Sequence, residues 1–264
     1  MAGTTTKPLN DPLETALAVA YDAGAVLLQR LREPREVAEK AQRADLVTDA
    51  DRAAERVAIE RLRREYPTAT ILAEESGRHA GTGADRWIVD PIDGTTNFAH
   101  GYPLFCVSIA YERDGELVAA VVHAPAMNET FAAQRGAGAR LNDRVISVSR
   151  VERLADAMTC TGFKPADYSR NARQFEAVSN RAQAVRRDGA AALDLAYVAC
   201  GRFDAFWEFD LSPWDVAAGT LLVHEAGGTV TRVDGSPPAL DARSILASNG
   251  RIHAEIGRVL SASV

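Results

Sequence analysis

The stretch Trp87-Ile-Val-Asp-Pro-Ile-Asp-Gly-Thr-Thr-Asn-Phe98 joins a short apolar run to two carboxylates, a glycine and two hydroxyls. The apolar run predicts a buried β-strand. Asp90 follows that strand and Asp93 lies three residues further on, and open α/β sheets bind ligands at the carboxyl ends of their strands. Gly94 lets the backbone approach a ligand closely, and a helix starting at Thr95 would direct free N–H groups at an anion. The stretch therefore predicts a metal and phosphate site.

The two aspartates also have a purely structural interpretation. Asp-Gly is a common turn dipeptide, and an aspartate after a strand often caps a helix. That interpretation weakens when further acids follow other predicted elements in the same way. Thr70-Ile-Leu-Ala73 is a short apolar run followed by Glu74-Glu75-Ser76-Gly77, so a second strand delivers carboxylates into a loop.

Two helix starts supply the remaining acids. Ser212-Pro-Trp-Asp215 has a cap residue, a proline at the first helical position and an acid three residues on. This capping box would explain Asp215 without any ligand. Thr48-Asp-Ala-Asp51 opens another amphipathic helix in the same way. From the residues alone, the structural and the functional interpretation both stay open for Asp51 and Asp215.

The predicted elements divide the chain near residue 150. The first half has a helix capped by Asp11 and ended by Pro34, a helix from about Asp49 to Glu65, and a hairpin turning at Asp114-Gly115, which indicates α+β structure with an antiparallel sheet. The second half alternates strands and helices, which indicates a layered α/β sheet. Further strands are predicted near residues 105–111, 117–123, 129–134, 158–161, 204–209, 229 and 245, and helices near 173–183, 190–200 and from 214. The first helix is predicted to bury a stripe formed by Leu13, Leu17, Ala20, Gly24, Leu27 and Leu31.

Composition fits a folded enzyme and argues against several other classes of protein. The 264 residues are 47% hydrophobic, which is enough for a sizeable core. A formal net charge of −6 argues against a nucleic-acid binder, whose affinity needs clustered cations. The polar first residues and the lack of a long apolar run predict neither a signal peptide nor a membrane span. The three cysteines, an odd number in apolar surroundings, predict reduced thiols and a cytoplasmic location.

Taken together, the four acid-bearing segments described above resemble those of the inositol monophosphatase family of metal-dependent phosphatases. The family's first signature is similar to residues 87–103 and its second to residues 214–228, with lesser blocks at residues 45–51 and 74–76. The blocks stand in the family's order, and the resemblance extends from about residue 12 to near the C-terminus. It implies a layered αβαβα sandwich of the inositol monophosphatase/fructose-1,6-bisphosphatase type, formed by a single domain over residues 8–264.

The resemblance also implies roles for individual residues. Metal ligands are implied at Glu74, Asp90, Asp93, Asp215 and the backbone carbonyl of Ile92. Catalytic roles are implied for Glu74 and for Asp51 and Thr95, which would align the attacking water. Substrate contacts are implied at Asp93, Gly94, Thr95, Gly189, Ala190, Ala191, Glu208 and Asp215.

The charges of the implied ligands support metal binding. Four carboxylates about 4 Å apart would repel by roughly 4 kcal/mol per pair at an effective dielectric near 20. A site of oxygen ligands without thiolates or paired histidines selects hard ions, Mg²⁺ first and Mn²⁺ as a substitute. The prediction is two Mg²⁺ ions per subunit, with a third, weaker ion implied by the resemblance.

The predicted function is hydrolysis of myo-inositol 1-phosphate and related polyol or sugar monophosphates, by in-line attack of a metal-activated water. Lithium inhibition and a homodimer are implied by the resemblance. Asp-Gly-Thr-Thr-Asn-Phe and Glu208 favour the inositol branch, again by resemblance. Asp188 stands where many members of the family have an uncharged residue, and an extra negative charge there could alter the substrate preference. Arg186 and Arg187 are candidates for phosphate binding or for pairing with a second subunit, and both alternatives stay open.

Three alternatives remain beside this prediction. Relatives act on fructose 1,6-bisphosphate, histidinol phosphate, 3′-phosphoadenosine 5′-phosphate or NADP, and this chain could prefer one of them. A non-catalytic interaction protein could retain the fold. A haloacid-dehalogenase-type phosphatase is disfavoured, because Asp49-Ala-Asp51-Arg-Ala53 precedes a predicted helix rather than following a strand.

Overall fold

The computed structural model describes residues 11–32, 37–39, 46–163, 168–241 and 244–263. Two predicted features, the block residue Asp45 and the helix end at Pro34, lie outside these ranges, as do the polar first residues. The helices are α1 (Pro12–Arg30), α2 (Asp49–Glu65), α3 (Thr95–His100), α4 (Tyr168–Ser179), α5 (Ala191–Ala199), α6 (Pro213–Glu225) and α7 (His253–Ser261). The strands are β1 (Val37–Glu39), β2 (Leu46–Thr48), β3 (Thr70–Ala73), β4 (Gly77–His79), β5 (Asp85–Asp93), β6 (Cys106–Arg113), β7 (Glu116–Ala124), β8 (Glu129–Gln134), β9 (Gly138–Leu141), β10 (Arg144–Ile146), β11 (Met158–Thr161), β12 (Ala184–Arg186), β13 (Ala205–Phe209), β14 (Thr229–Thr231) and β15 (Ser244–Ser248).

Two sheets carry most of the described strands. The larger has the order β10-β9-β8-β7-β6-β5-β3-β4, and its neighbours are antiparallel except for the parallel pair β3 and β5. The smaller has the order β12-β11-β13-β15-β14, with β11 parallel to both of its neighbours. The mainly antiparallel first half and the mixed second half agree with the prediction from the sequence.

Helices separate and cover the two sheets, so that the molecule has five layers. The pair α1 and α2 packs on one face of the larger sheet, α5 and α6 lie between the sheets, and α4 and α7 cover the outer face of the smaller sheet. This is the αβαβα arrangement predicted from the resemblance, and it is confirmed.

Alternation along the strands explains why both faces of each sheet are covered. On β5, Trp87 and Val89 join the core beneath α1 and α2, whereas Ile88 joins the core around α5 and α6. On β13, Phe206 faces α5 and α6 while Trp207 faces the core beneath α7. Successive side chains of a strand point to opposite faces, so an unbroken apolar run requires two apolar layers.

Helix predictions were confirmed where caps and periodicity agree. The side chain of Asp11 accepts a hydrogen bond from the N–H of Leu13 and caps α1, and α2 has the predicted bounds. The predicted buried stripe of α1 was partly wrong, because three of its leucines are only half-buried: Leu13, Leu17 and Leu31. Smaller residues occupy the buried face instead, among them Thr15, Ala16, Val19 and Ala23.

The helix predicted near residues 173–183 was misplaced. It ends at Ser179, and the short strand β12 follows after a turn in which the N–H of Arg181 donates to the carbonyl of Val178. The three cysteines are free, with Cys106 and Cys160 buried and Cys200 half-buried. Among the helices of the described ranges, none combines the length and apolar character needed to cross a bilayer.

Candidate active site

Asp90 lies within the last residues of β5 rather than beyond the strand, which corrects the prediction. The pairing of β5 with β6 shifts between Asp90 and Asp93. Pro91 stands at this irregularity, where its missing N–H removes a ladder hydrogen bond. The N–H of Ile92 donates to Oδ1 of Asp90 at 3.0 Å, so the bulge itself orients the carboxylate.

Asp93 connects the larger sheet to the helix layer between the sheets. The N–H of Ala192, in the first turn of α5, donates to Asp93 Oδ2 at 2.7 Å, and the Cys106 thiol donates to the same oxygen at 3.7 Å. Burial is the largest influence and raises the pKa of Asp93 to about 6, with the charge of Glu74 adding to the rise. The N–H groups at the start of α5 act in the opposite direction, as expected where a carboxylate meets a helix N-terminus.

The predicted metal ligands influence one another electrostatically. Asp90 is 1% exposed, and burial raises its pKa well above the usual range. The charges of Glu74, Asp93 and Asp215 raise the pKa of Asp90 further, as does a hydrogen bond with Glu74. Glu74 follows β3 and Asp215 lies in the first turn of α6, and both are half-buried. The fold therefore brings four acids from three distant segments into one charged cluster.

A buried glutamate, which sequence reasoning missed, positions the loop that carries Glu74. Glu55 on α2 accepts hydrogen bonds from the N–H groups of Glu75 at 2.7 Å and Ser76 at 3.0 Å. The N–H of Glu74 donates to the carbonyl of Val89 on β5 at 3.2 Å. The signal in the sequence is the spacing of Glu55 and Asp51, four residues apart and hence on one face of α2.

The capping box predicted at the start of α6 is present. The N–H of Ser212 donates to Oδ2 of Asp215 at 2.7 Å, and the hydroxyl of Ser108 on β6 donates to the carbonyl of Trp214 at 3.1 Å. The cap occupies one oxygen of Asp215, while the charge of the same carboxylate acts on Asp90. The structural and the functional interpretation of Asp215 are therefore compatible.

Asp51 and Thr95 meet in the structure, although 44 residues separate them. The hydroxyl of Thr95 lies 3.2 Å from Oδ1 of Asp51 and 3.1 Å from the carbonyl oxygen of Ile92. Asp51 is fully buried, and α2 presents it from its first turn. A hydroxyl has one proton to donate to these two acceptors, and its oxygen keeps lone pairs that can accept a hydrogen bond from water.

The predicted phosphate loop and the predicted substrate segment are adjacent. Gly94 has φ of 90° and begins α3, and a Cβ at this position would lie 2.9 Å from the carbonyl oxygen of Leu104 and 3.2 Å from the Cβ of Ala190. Asn97, which sequence reasoning did not single out, donates through Nδ2 to the carbonyl oxygen of Asp188 at 2.8 Å. Gly189 follows with φ of 80°, and Ala190 and Ala191 are buried at the start of α5.

Glu208 lies on β13 and is buried against a glycine. A Cβ built on Gly162 would lie 2.0 Å from Oε2 of Glu208, so a side chain at this position after β11 would displace the Glu208 carboxylate. Burial raises the pKa of Asp194, and the charge of Glu208 adds to the rise, which places the two carboxylates in one neighbourhood. Gly162 could be recognised only once the approach of β11 and β13 was known.

The two arginines left open by the sequence differ in their contacts. Arg187 stacks over the ring of Phe163 at 5.3 Å and donates to the Phe163 carbonyl at 3.1 Å. Arg186 is exposed and donates to the carbonyl of Val185 at 3.2 Å. Asp188 is half-buried, and burial raises the pKa of its carboxyl group. Arg187 thus has a local structural partner, while the roles of Arg186 and Asp188 stay predictions.

Comparison with known proteins gives a consistent result over nearly the whole chain. Residues 9–264 match the family model described as "Inositol monophosphatase family". A Rhizobium meliloti protein named inositol-1-monophosphatase is 48% identical over 221 residues, which are 82% of this chain and 83% of that protein. A Pseudomonas aeruginosa protein named Nus factor SuhB is 45% identical over 246 residues, 90% of this chain and 91% of the relative. The crystal structure of the extragenic suppressor protein suhB from Bartonella henselae is 41% identical with a TM-score of 0.91, covering 95% of this chain and 98% of that one.

Proposed function

The chain belongs to the inositol monophosphatase family and is an enzyme of the phosphatase class, and from this premise we propose that it hydrolyses myo-inositol 1-phosphate and related polyol or sugar monophosphates. The observation that carries the proposal is the cluster around Asp90. The pKa of Asp90 is raised by burial and by the charges of Glu74, Asp93 and Asp215. A buried group of mutually repelling carboxylates is unfavourable unless a cation or protons neutralise it.

The donor set of this cluster fits Mg²⁺, with Mn²⁺ as a substitute. The residues that would hold the ions are Glu74, Asp90, Asp93, Asp215 and the carbonyl of Ile92, all of which offer oxygen, the atom that hard cations prefer. We propose two ions per subunit, with a third and weaker one beside Glu74. Bound Mg²⁺ supplies positive charge for the phosphoryl oxygens and lowers the pKa of a coordinated water.

Asp51 and Thr95 are proposed to orient and deprotonate the attacking water. When the Thr95 hydroxyl donates its hydrogen bond to Asp51 Oδ1, the threonine oxygen keeps lone pairs that can accept a hydrogen bond from water. A water that donates to Thr95 Oγ1 would then have a proton route to the buried Asp51 carboxylate. Such a relay contributes general-base catalysis. The water then attacks phosphorus in line and the alcohol leaves, so no phosphoenzyme forms.

The phosphate and the polyol are proposed to bind on opposite sides of Gly94. The first N–H groups of α3, at Thr95 and its neighbour, lack partners within the helix and suit phosphate oxygens. On the other side, Gly189, Ala190 and Ala191 and the carboxylate of Glu208 would contact the hydroxyls of the polyol. The support is that Ala190 approaches Gly94 closely, so both groups of contacts can reach one small substrate.

A panel of phosphate esters tests the proposal most broadly. The panel contains myo-inositol 1-phosphate, fructose 1,6-bisphosphate, histidinol phosphate, 3′-phosphoadenosine 5′-phosphate and NADP, each assayed with Mg²⁺, without it, and with added lithium. We expect Mg²⁺-dependent, lithium-sensitive release of phosphate that is fastest from the inositol ester. If another ester of the panel is hydrolysed fastest, the proposed reaction stands and the proposed substrate is wrong.

The substitution Asp93→Asn tests the metal assignment within that assay. It keeps an oxygen for the N–H of Ala192 but removes the charge, so we expect loss of Mg²⁺-dependent hydrolysis. Asp114→Asn, in the exposed hairpin turn, is the matched control, because asparagine accepts its φ of 52°. Unchanged activity in Asp93→Asn would contradict the assignment.

The relative named Nus factor SuhB favours a second candidate function, a non-catalytic interaction role on the same fold. A binding role alone does not require the contact between Thr95 and Asp51. Purified wild-type protein that releases no phosphate from any ester of the panel at saturating Mg²⁺ would favour this candidate over hydrolysis.

We further propose a homodimer, a cytoplasmic location and a single domain over residues 8–264. The free cysteines support a reducing compartment, and the core that side chains of both sheets form around α5 and α6 supports one domain. Sedimentation at several protein concentrations tests the dimer. One cooperative unfolding transition, with the same midpoint by two spectroscopic probes, tests the domain.

A further inference from the structure

A second group of metal-ligating side chains lies at the carboxyl ends of the parallel strands of the smaller sheet. Cys160 is on β11, Asp188 follows β12, and Asp194 is in the first turn of α5. One ligand atom from each of the three lies within 4.8 Å of the other two. Cys160 and Asp194 have no role in the hydrolysis proposed above, and Asp188 has only a predicted effect on substrate preference, so the group needs its own explanation.

Asp194 is the unusual member of this group. It is 1% exposed, and among the described residues no N–H or O–H group donates to its carboxylate oxygens; the Cys160 thiol is the hydrogen-bonding neighbour there, and it acts to lower the pKa of Asp194. Burial, with the charges of Asp188 and Asp93 adding to it, raises the pKa of Asp194 well above the usual range. Protonation would remove the charge, but the Cys160 thiol alone cannot satisfy both the O–H and the second oxygen, and an unsatisfied buried polar group is destabilising. A bound cation would neutralise the charge and satisfy the oxygen that it coordinates.

The neighbouring ligands determine which cation fits. Cys160 is buried and offers sulfur, whereas the cluster around Asp90 offers oxygen. Thiolate ligands select zinc-like ions over Mg²⁺. Asp188 is half-buried and the other two residues are buried, so entry from solvent passes Asp188.

We propose that Cys160, Asp188 and Asp194 form a second divalent-cation site, which prefers zinc-like ions to Mg²⁺. On binding, the Cys160 thiol releases its proton to solvent and the thiolate sulfur coordinates the ion, while each aspartate contributes one oxygen. Water supplies the remaining ligand of a four-coordinate site. Asp194 lies in the same first turn of α5 as Ala192, whose N–H donates to Asp93, so an ion held there would stabilise the start of α5.

Cobalt(II) is the probe for this site, because a Co²⁺–thiolate bond gives a charge-transfer absorption that oxygen ligands do not give. The full-length protein is first saturated with Mg²⁺, which blocks the cluster around Asp90, and is then titrated with Co²⁺. We expect the charge-transfer absorption to saturate at one equivalent and to disappear when Zn²⁺ is added.

Three variants and one control assign the absorption to these residues. Cys160→Ser should abolish it, whereas Asp194→Asn and Asp188→Asn should weaken Co²⁺ binding by about 10–100-fold. Cys200→Ser is the matched control and should retain it, because that half-buried thiol lies at the opposite end of α5. Asp188→Asn also guards against misfolding, since its side chain is only half-buried and circular dichroism can verify its fold.

Two outcomes would overturn the proposal. One is the absence of a thiolate band in Mg²⁺-saturated wild-type protein. The other is a band that persists in Cys160→Ser, which would place the ion at one of the other two thiols, Cys106 beside Asp93 or Cys200. Neither outcome depends on the proposed phosphatase reaction, because hydrolysis with Mg²⁺ is measured separately and requires no Co²⁺.

Discussion

The two sheets of this molecule each carry a cluster of buried acids, and the clusters differ in what surrounds the carboxylates. At the larger sheet, backbone N–H groups hold Asp90, Asp93 and Asp215 in place. At the smaller sheet, Asp194 has no such donor among the described residues, and its neighbour is the thiol of Cys160. The first cluster is thus prepared for hard cations by oriented oxygens, whereas the second offers an unsatisfied carboxylate and sulfur.

The difference shows that burial alone does not define a metal site. Burial raises the pKa of Asp90, Asp93 and Asp194 alike, so the direction of the shift cannot separate a catalytic acid from a structural one. What separates them is the set of donors and the neighbouring charges.

Removal of one central charge should have the largest effect. Asp90→Asn keeps an oxygen for the N–H of Ile92 but takes the shared charge out of the cluster. We expect kcat/KM with Mg²⁺ to fall at least about 10³-fold, since several kcal/mol of transition-state stabilisation depend on the ions. In the same variant, the free energy of unfolding of metal-free protein should rise, because repulsion is relieved. Activity near that of wild type, or a metal-free protein that is less stable, would contradict the charge-cluster account.

The pH dependence of metal-free protein should show the cost of ionising the first cluster. The pKa of Asp93 is raised to about 6, above the value of about 3.9 in an unfolded chain, so the folded state binds the proton more tightly. The stabilisation is fully present below about pH 4 and is lost as the pH rises through about 6. A shift of about two units corresponds to about 3 kcal/mol.

Urea unfolding at a series of pH values, with a chelator or with Mg²⁺, measures this dependence. The free energy of unfolding should fall between about pH 4 and 6 with the chelator, and Mg²⁺ should restore it near neutral pH. Asp93→Asn should flatten this part of the curve. Identical curves for that variant and the wild type would show that Asp93 is not the titrating group.

Loss of the support beneath Glu74 should have an intermediate effect. In the wild-type protein the N–H groups of Glu75 and Ser76 both donate to the Glu55 carboxylate. Glu55→Gln places an amide NH₂, itself a donor, against one of these N–H groups. We expect Mg²⁺ to bind about 10–100-fold more weakly by calorimetry, with kcat at saturating Mg²⁺ largely retained. Glu60→Gln, on the exposed face of α2, is the control. A loss of kcat with unchanged Mg²⁺ affinity would instead place Glu55 in the chemical step.

A methyl group beside Glu208 should have the smallest effect. In Gly162→Ala the new Cβ displaces the Glu208 carboxylate, which it would otherwise approach to 2.0 Å. We expect KM for the inositol ester to rise about tenfold, the equivalent of one hydrogen bond, and hydrolysis of a phosphate ester without ring hydroxyls to change little. Gly257→Ala on α7 is the control, since its Cβ would find an ordinary contact at 3.7 Å. Equal losses for both esters would remove Glu208 from substrate recognition.

Local patterns were enough to predict the elements that carry the first cluster. The bounds of α2 and β3 follow from amphipathic and apolar runs between clear breakers, and the capping box of α6 is readable in Ser212 and Asp215. The acids of these elements and of β5 could therefore be named from the sequence. Their convergence could not be derived from periodicity and came from resemblance to a family.

The parts that could not be predicted depend on contacts between distant residues. Strands of three residues, such as β12, are too short for alternation to show, which is why the preceding helix was extended too far. Gly162 matters only because Glu208 approaches it. Asn97 matters only because it donates a hydrogen bond to the carbonyl of Asp188, which is 91 residues away in the sequence. Nothing in the sequence distinguishes Asp194, because acids are common in the first turn of a helix. Only its burial in the structure sets it apart.

An anomalous difference map from crystals soaked in Mn²⁺ tests the central claim most directly, because it locates the ions without reference to activity. We expect peaks within coordination distance, about 2–2.5 Å, of carboxylate oxygens of Asp90, Asp93 and Asp215, with Glu74 beside them. A map without peaks between these residues, from crystals in which the protein binds Mn²⁺ elsewhere or not at all, would contradict it.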